Sequence, residues 1–354
     1  MKVTNFSNLN AYDIFNKIVK KTEELFAVDY SALSFEEKCE YLIAWRANPV
    51  TWNKNLRLSS DEINELRCTL LKRANQGEPE GCYYLARLGS IIGVPEEDRK
   101  KALRTAADMG HVPSIIFHMR SVFPMSESYR MAQDFVDKIP TLESPTLRLE
   151  AIRACYPILR KFEGTDKYPK YDGVNYDYYI DVVREGDANA AIRLEHITSI
   201  AAKRAKDEES RRDLTEECEF WRTVIFMVNE HFYKNAHPSL EESVGYSLIN
   251  GSGCERDERR GALHIISAMQ RSFNEHTKSE VTLDRLVEAM RTSKAKDVSE
   301  RAELVKTILS GDEQKLQLML EGKEKEGTLG ASVFDASCLY HYGRFYIQKE
   351  KSQS

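Results

Sequence analysis

Two histidines, His231 and His237, flank the pentapeptide FYKNA, with Glu230 beside the first. Imidazole and carboxylate ligands are what a zinc ion takes, but a zinc helix sets its histidines four residues apart and needs a third ligand. Neither condition holds here, so both histidines read as structural. Cys254, in the turn GSGCERD, would be a nucleophile or redox thiol if neighbouring amides lowered its pKa; packing as a small apolar group is the preferred reading. Five tyrosines, Tyr168, Tyr171, Tyr176, Tyr178 and Tyr179, crowd one short stretch. Rigid aromatic area with a polar tip suits a protein-binding hot spot, and these five are the candidate partner-binding residues. The preferred reading nevertheless packs this stretch back onto its own domain. No GxxxxGK[ST] loop, GxGxxG turn after a strand or GxSxG elbow occurs. No catalytic residue, cofactor or metal ligand is therefore assigned.

The elements that must position these residues are helical. Apolar residues recur with helical period nearly everywhere, and alternating strand patterns are scarce. In 11–28, Ile14, Phe15, Ile18, Val19, Leu25 and Phe26 form one stripe opposite lysines and glutamates. Four pairs have capping-box spacing: Ser34 with Glu37, Ser59 with Glu62, Ser239 with Glu242, and Asp297 with Glu300. Pro95 and Pro238 suit a first helical turn, whereas Pro157 should kink or end its helix. Hydrophobic residues make up 42% and charged residues 30% of 354 residues, enough for a real core. A net charge of −5 argues against a constitutive nucleic-acid binder. Seven scattered cysteines without a CxxC pair suit buried thiols in a reducing compartment. The first residues lack a signal-peptide pattern, and no run approaches a membrane span.

The stretch VGYSLINGSGCERDERRGAL, 244–263, holds four of only 17 glycines. Gly245 and Gly261 would let two helix backbones approach closely. Gly251 and Gly253 would let the chain reverse through positive φ, Asp257 would cap the returning helix, and Ala268 would continue its small face. This spacing resembles the Sel-one-like repeat, a relative of the tetratricopeptide repeat, with Cys254 at an apolar position of the pattern. A second stretch, 76–110, repeats it with Gly77, Leu85, Ala86, Gly93, Asp98, Ala102 and Gly110. A third opens with Gly186 and Ala190, and ASCLYHYGRFYI, around Gly343, resembles a terminal half-repeat.

The resemblance implies an all-α fold, an α/α superhelical solenoid of helix-hairpin repeats in which each hairpin buries its apolar face against its neighbours. On this basis 1–58 form an N-terminal helical cap, 59–163 repeat hairpins, 164–180 a tyrosine-rich loop or insertion, 181–275 further hairpins, and 276–354 C-terminal helices with the half-repeat. A charged helix is expected over 198–218, with Asp207–Arg211 and Glu208–Arg212 pairs. The basic runs EEDRKKALR and ERDERRGALH read as solvated helix faces.

The function expected is a non-enzymatic scaffold or adaptor that holds a partner protein or peptide on a solenoid surface, in the cytoplasm. A secreted effector using a non-Sec route stays open as a variant. Two alternatives differ in class: an enzyme with its site outside the repeats, in 111–180 above all, and a nucleic-acid-binding helical array. No cofactor and no membrane are expected, and the sequence sets no oligomeric state.

Overall fold

The computed structural model describes residues 9–51, 58–120, 125–163, 171–276 and 281–353. Among the described residues there are seventeen α-helices and no strand, and no helix is long and apolar enough to cross a membrane. Two compact units divide the chain, Met1–Cys218 and Glu219–Ser354.

The first unit opens with α1 (Ala11–Ala27) and α2 (Phe35–Ala47). Helices α3 (Ser60–Asn75), α4 (Pro79–Leu88), α5 (Glu96–Asp108) and α6 (Val112–Met119) follow, the last three each packed on the one before, and α2 lies against α4. Then come α7 (Met125–Val136), α8 (Pro145–Glu163), α9 (Tyr171–Arg184) and α10 (Ala188–Arg204), paired in the same serial way. Ile14, Ile18 and Thr22 of α1 are buried. The N-terminal helices do not cap one end of a row. α1 packs against α9, and Asn189 at the start of α10 donates to the Ala47 carbonyl at the end of α2. Gly186 explains the approach, because a Cβ there would sit 2.6 Å from the Lys17 carbonyl oxygen.

The tyrosine-rich stretch is helix from Tyr171 onward, not a loop to 180. Helix α8 runs through Pro157 to Glu163 without ending there. The charged helix expected over 198–218 is broken at Ala205–Asp207. There the Asp207 carboxylate accepts the Ser210 amide at 2.7 Å and starts α11 (Glu208–Phe232). Asp207 is thus a cap, and Arg211 pairs with Glu208 at 2.8 Å instead.

Of the four capping boxes, those at Ser34–Glu37 and Ser59–Glu62 form in full. The third does not. His237 takes the cap of α12 (Pro238–Asn250), its ring Nδ1 accepting the Ser239 amide at 3.2 Å. Asp297 precedes α15 (Val298–Ser310) at φ 53° with no side-chain cap bond, and Glu300 pairs with Lys323 at 2.5 Å.

In the second unit α12 lies against α13 (Glu258–His276). A Cβ at Gly245 would meet Ile265 Cγ1 at 2.6 Å and the Gly261 carbonyl oxygen at 2.7 Å. Gly251 ends α12 at φ 64°, and the Asp257 carboxylate accepts the Arg260 amide at 2.9 Å. Gly253, at φ 72°, lies against the Arg222–Thr223 backbone of α11. Helices α14 (Leu283–Arg291), α15, α16 (Glu313–Lys325) and α17 (Leu329–Gln353) complete the unit. α17 is not a terminal half-hairpin: it packs against α13, α14, α15 and α16. Gly343 sits mid-helix, where a Cβ would meet Met290 Cγ at 2.8 Å.

One turn recurs. At Gly77, Gly110, Gly186 and Gly327 the glycine amide and the next amide fold back on the last turn, as in Glu78 N to Arg73 O, 3.1 Å, and Thr328 N to Lys323 O, 2.9 Å.

These contacts rank the glycines. Gly245→Val should cost about 3 kcal/mol or more through forced helix separation, and Gly253→Ala a comparable amount. Gly327→Ala, with open space around it, should cost about 1 kcal/mol from left-handed backbone alone. Gly322→Ala, exposed and inside α16, should gain about 0.5 kcal/mol. Thermal melts of the four variants would show this order, and a Gly245→Val protein melting like wild type would contradict the close packing.

Candidate interaction surface

Helix α17 carries two faces. Val333, Ala336, Leu339, Tyr340 and Ile347 are buried in the second core. Around the other side run Phe334, Cys338, His341, Tyr342 and Phe345, all exposed. The spacing i, i+4, i+7, i+8, i+11 keeps them on one stripe. Phe345 is 65% and Phe334 42% exposed, an unusual state for large aromatics in line.

α12 supports this stripe. The Tyr246 ring meets Phe334 edge to face at 5.1 Å. Glu242 on the same helix is the hub beneath. It accepts His341 Nε2–H at 3.0 Å, Tyr246 O–H at 2.8 Å and Ser337 O–H. Burial alone would raise the Glu242 pKa, but the bonds from His341, Ser337 and Tyr246 outweigh it and hold the carboxyl below its ordinary value. Tyr246 is pushed up, by burial first. Its neighbour Glu241 points to α13 instead, accepting Arg271 Nη1–H at 2.8 Å. Arg271 also donates to the carbonyls of Ala236 at 2.8 Å and Tyr233 at 3.1 Å. Against burial, His264, Ser267 and Arg271 keep the Glu241 carboxyl lowered too.

Serine, histidine and carboxylate together invite a catalytic reading, and the geometry decides against it. In a nucleophilic triad the imidazole stands between hydroxyl and acid. Here the acid stands between the other two, and Ser337 is fully buried. The cluster is a polar tie between α12 and α17.

The sequence-derived candidates fall elsewhere. Tyr176 and Tyr179 are buried at 3% and 1% exposure, and Tyr176 donates to the buried Glu217. They are core residues of the first unit, because α9 turns this face inward, so they offer no binding surface. Tyr178 is half-buried, and packs on the cluster around Ile152 and Leu159. Tyr171 begins α9, and Tyr168 lies outside the described residues. His231 is exposed, edge-on to Phe232 at 4.7 Å. No group of three metal-ligating side chains occurs among the described residues. Cys254 packs beside Phe226, Val244 and Leu248, and burial pushes its thiol up, opposite to activation. Two cysteines, Cys68 and Cys338, are exposed instead of buried.

The two basic runs also differ from a simple solvated face. Arg259 and Arg260 pair with Glu324 and Glu230. Arg99 folds over Gly89, whose Cβ would meet its Cδ at 2.5 Å. Aromatic and apolar residues lie all round α17, so the sequence carries no signal that separates its exposed face from its buried one.

No protein-family model matches the chain, and no curated protein is significantly similar to it.

Glu242 gives a pH test. Its folded pKa lies below the ordinary 4.5, so its contribution is present at neutral pH and is lost as pH falls through the folded value. Glu242→Gln should cost about 2–3 kcal/mol at pH 7. From pH 5 downward the wild-type melting temperature should fall more steeply than the variant's; parallel curves would remove Glu242 from the linkage.

Proposed function

We propose that the chain is a non-enzymatic interaction scaffold of the Sel-one-like kind, its hairpins stacked as an α/α solenoid, and that a partner protein docks on the exposed face of α17. Serial packing of α3 to α6, the recurrent glycine turn and the close crossing of α12 on α13 support the repeat reading. The observation that carries the function is the stripe of Phe334, Cys338, Tyr342 and Phe345.

Aromatic side chains already held in place lose little freedom on binding, so more of their burial appears as affinity. Glu242 supplies that preorganisation by anchoring Tyr246 and His341 at the border of the stripe. The partner segment that fits is an amphipathic helix, whose apolar stripe would lie along α17. The compartment is read as the cytoplasm, where thiols such as Cys68 and Cys338 stay reduced.

Phe334→Ala with Phe345→Ala removes largely exposed area, the edge contact of Phe334 with Tyr246 apart, so the melting temperature should fall by no more than about 2–4 °C. Affinity capture with the full chain should then lose a specific partner, by at least about tenfold if each ring is a hot spot worth ~2 kcal/mol. An unchanged set of captured proteins with the double variant would reject docking on α17.

A further inference from the structure

Independently of that reading, we propose that α2, α4 and α5 of the first unit build a binding site for a phosphomonoester. A cavity of about 390 Å³ opens among them, lined by Arg46, Arg87, Arg99, Ser90, Phe117 and Ile43. Its remaining lining residues, Ala47, Ala86 and Leu88, are apolar, so no carboxylate faces it. Among the described residues none of the three guanidinium groups has an ion-pair partner, whereas Arg73, close by in sequence, holds both Glu36 and Glu78.

Each arginine is held in place by uncharged groups. Arg46 Nη1 donates to Ser90 Oγ at 3.1 Å and to the Arg87 carbonyl at 3.5 Å, which occupies a C-terminal carbonyl of α4 that would repel an anion. Arg87 stacks on the Phe117 ring at 4.0 Å and donates to Tyr83 Oη at 3.1 Å. Arg99 lays its stem across Gly89, and its Nε is buried without an acceptor. Three like charges facing one cavity repel one another, and a buried guanidinium donor without an acceptor is costly. Both penalties are relieved by a bound anion.

The donors choose the class. They arrive from three separate helices, matching a tetrahedral group whose oxygens point three ways better than a planar carboxylate, which one guanidinium already satisfies edge-on. Two negative charges on the ligand also balance the site more fully than one. Another cavity, beside Cys254, contains Arg256 and Arg260 but also Glu255, Asp257 and Glu258, so its positive charge is answered from within.

The test is calorimetric titration of the full chain with inorganic phosphate, O-phosphoserine, a phosphoserine nonapeptide, its unphosphorylated twin, and succinate. O-phosphoserine should bind one to one and weaken as salt rises. Arg99→Gln should reduce affinity at least about tenfold. Ser90→Asp changes an exposed residue and gives Arg46 an internal carboxylate; it should do the same without loss of melting temperature, so a misfolded arginine variant would not hide the answer. A phosphopeptide about tenfold tighter than O-phosphoserine identifies a phosphorylated protein segment as the source. Equal affinities identify a free organic phosphate, and either result supports the site. No binding of any phosphate probe, equal binding of succinate or of the unphosphorylated peptide, or unchanged affinity in the folded Ser90→Asp protein would overturn it.

Discussion

The second unit depends on how closely two helix backbones can approach. With hydrogen at Gly245 and Gly261, each glycine faces the other's carbonyl, at a distance that any side chain would fill. Such contact is what allows Val244 and Leu248 to be buried on a helix as short as α12, because side chains one turn along interdigitate only when the axes are near. The turn obeys the same limit. Gly253 has both a left-handed φ and the α11 backbone against its α-carbon, so conformation and space independently require glycine there.

Once α12 is fixed against α13, its consecutive glutamates lie about 100° apart around the helix and reach different neighbours. Glu241 meets Arg271 on α13, and Glu242 meets His341 and Ser337 on α17. Each carboxylate is buried and saturated with donors, the condition under which a buried charge is tolerable. Two adjacent side chains therefore tie three helices together. The same tie reaches the outer surface, since Tyr246 and His341 belong both to the Glu242 cluster and to the border of the α17 stripe. Stability of the unit and rigidity of that surface share one set of hydrogen bonds.

What was legible in sequence was local. The α12–α13 hairpin can be read from glycine spacing, and the boxes at Ser34 and Ser59 from a three-residue interval, because their causes lie within one turn or one hairpin. Ser239–Glu242 has the same interval and fails, since His237 caps the helix and Glu242 finds donors 95 and 99 residues away. No local pattern contains that competition. Which of the tyrosines face inward was hidden in sequence for a related reason. Gly, Pro and Asp around them suggest a break, but α9 already runs from Tyr171, and the face of α9 that meets Glu217 depends on a helix about forty residues on. In α17 the buried aromatic Tyr340 and the exposed Phe345 look equivalent in sequence; only packing by α13 and α14 separates them.

The two arginine-bearing helix starts make the same point about charge. EEDRKKALR and ERDERRGALH have similar composition and begin second helices of comparable hairpins. Arg259 and Arg260 find Glu324 on α16 and Glu230 on α11, so their charge is neutralised within the protein. Arg99 lies over Gly89 and lines one cavity with Arg46 and Arg87, and among the described residues it has no ion-pair partner. A glycine decides this outcome as well. At position 89 a Cβ would lie 2.5 Å from the Arg99 Cδ and force its stem to shift. Its absence leaves room for the stem beside a cavity whose lining holds no carboxylate. Small residues thus set helix spacing in the second unit, and in the first they set where a positive charge is kept unpaired.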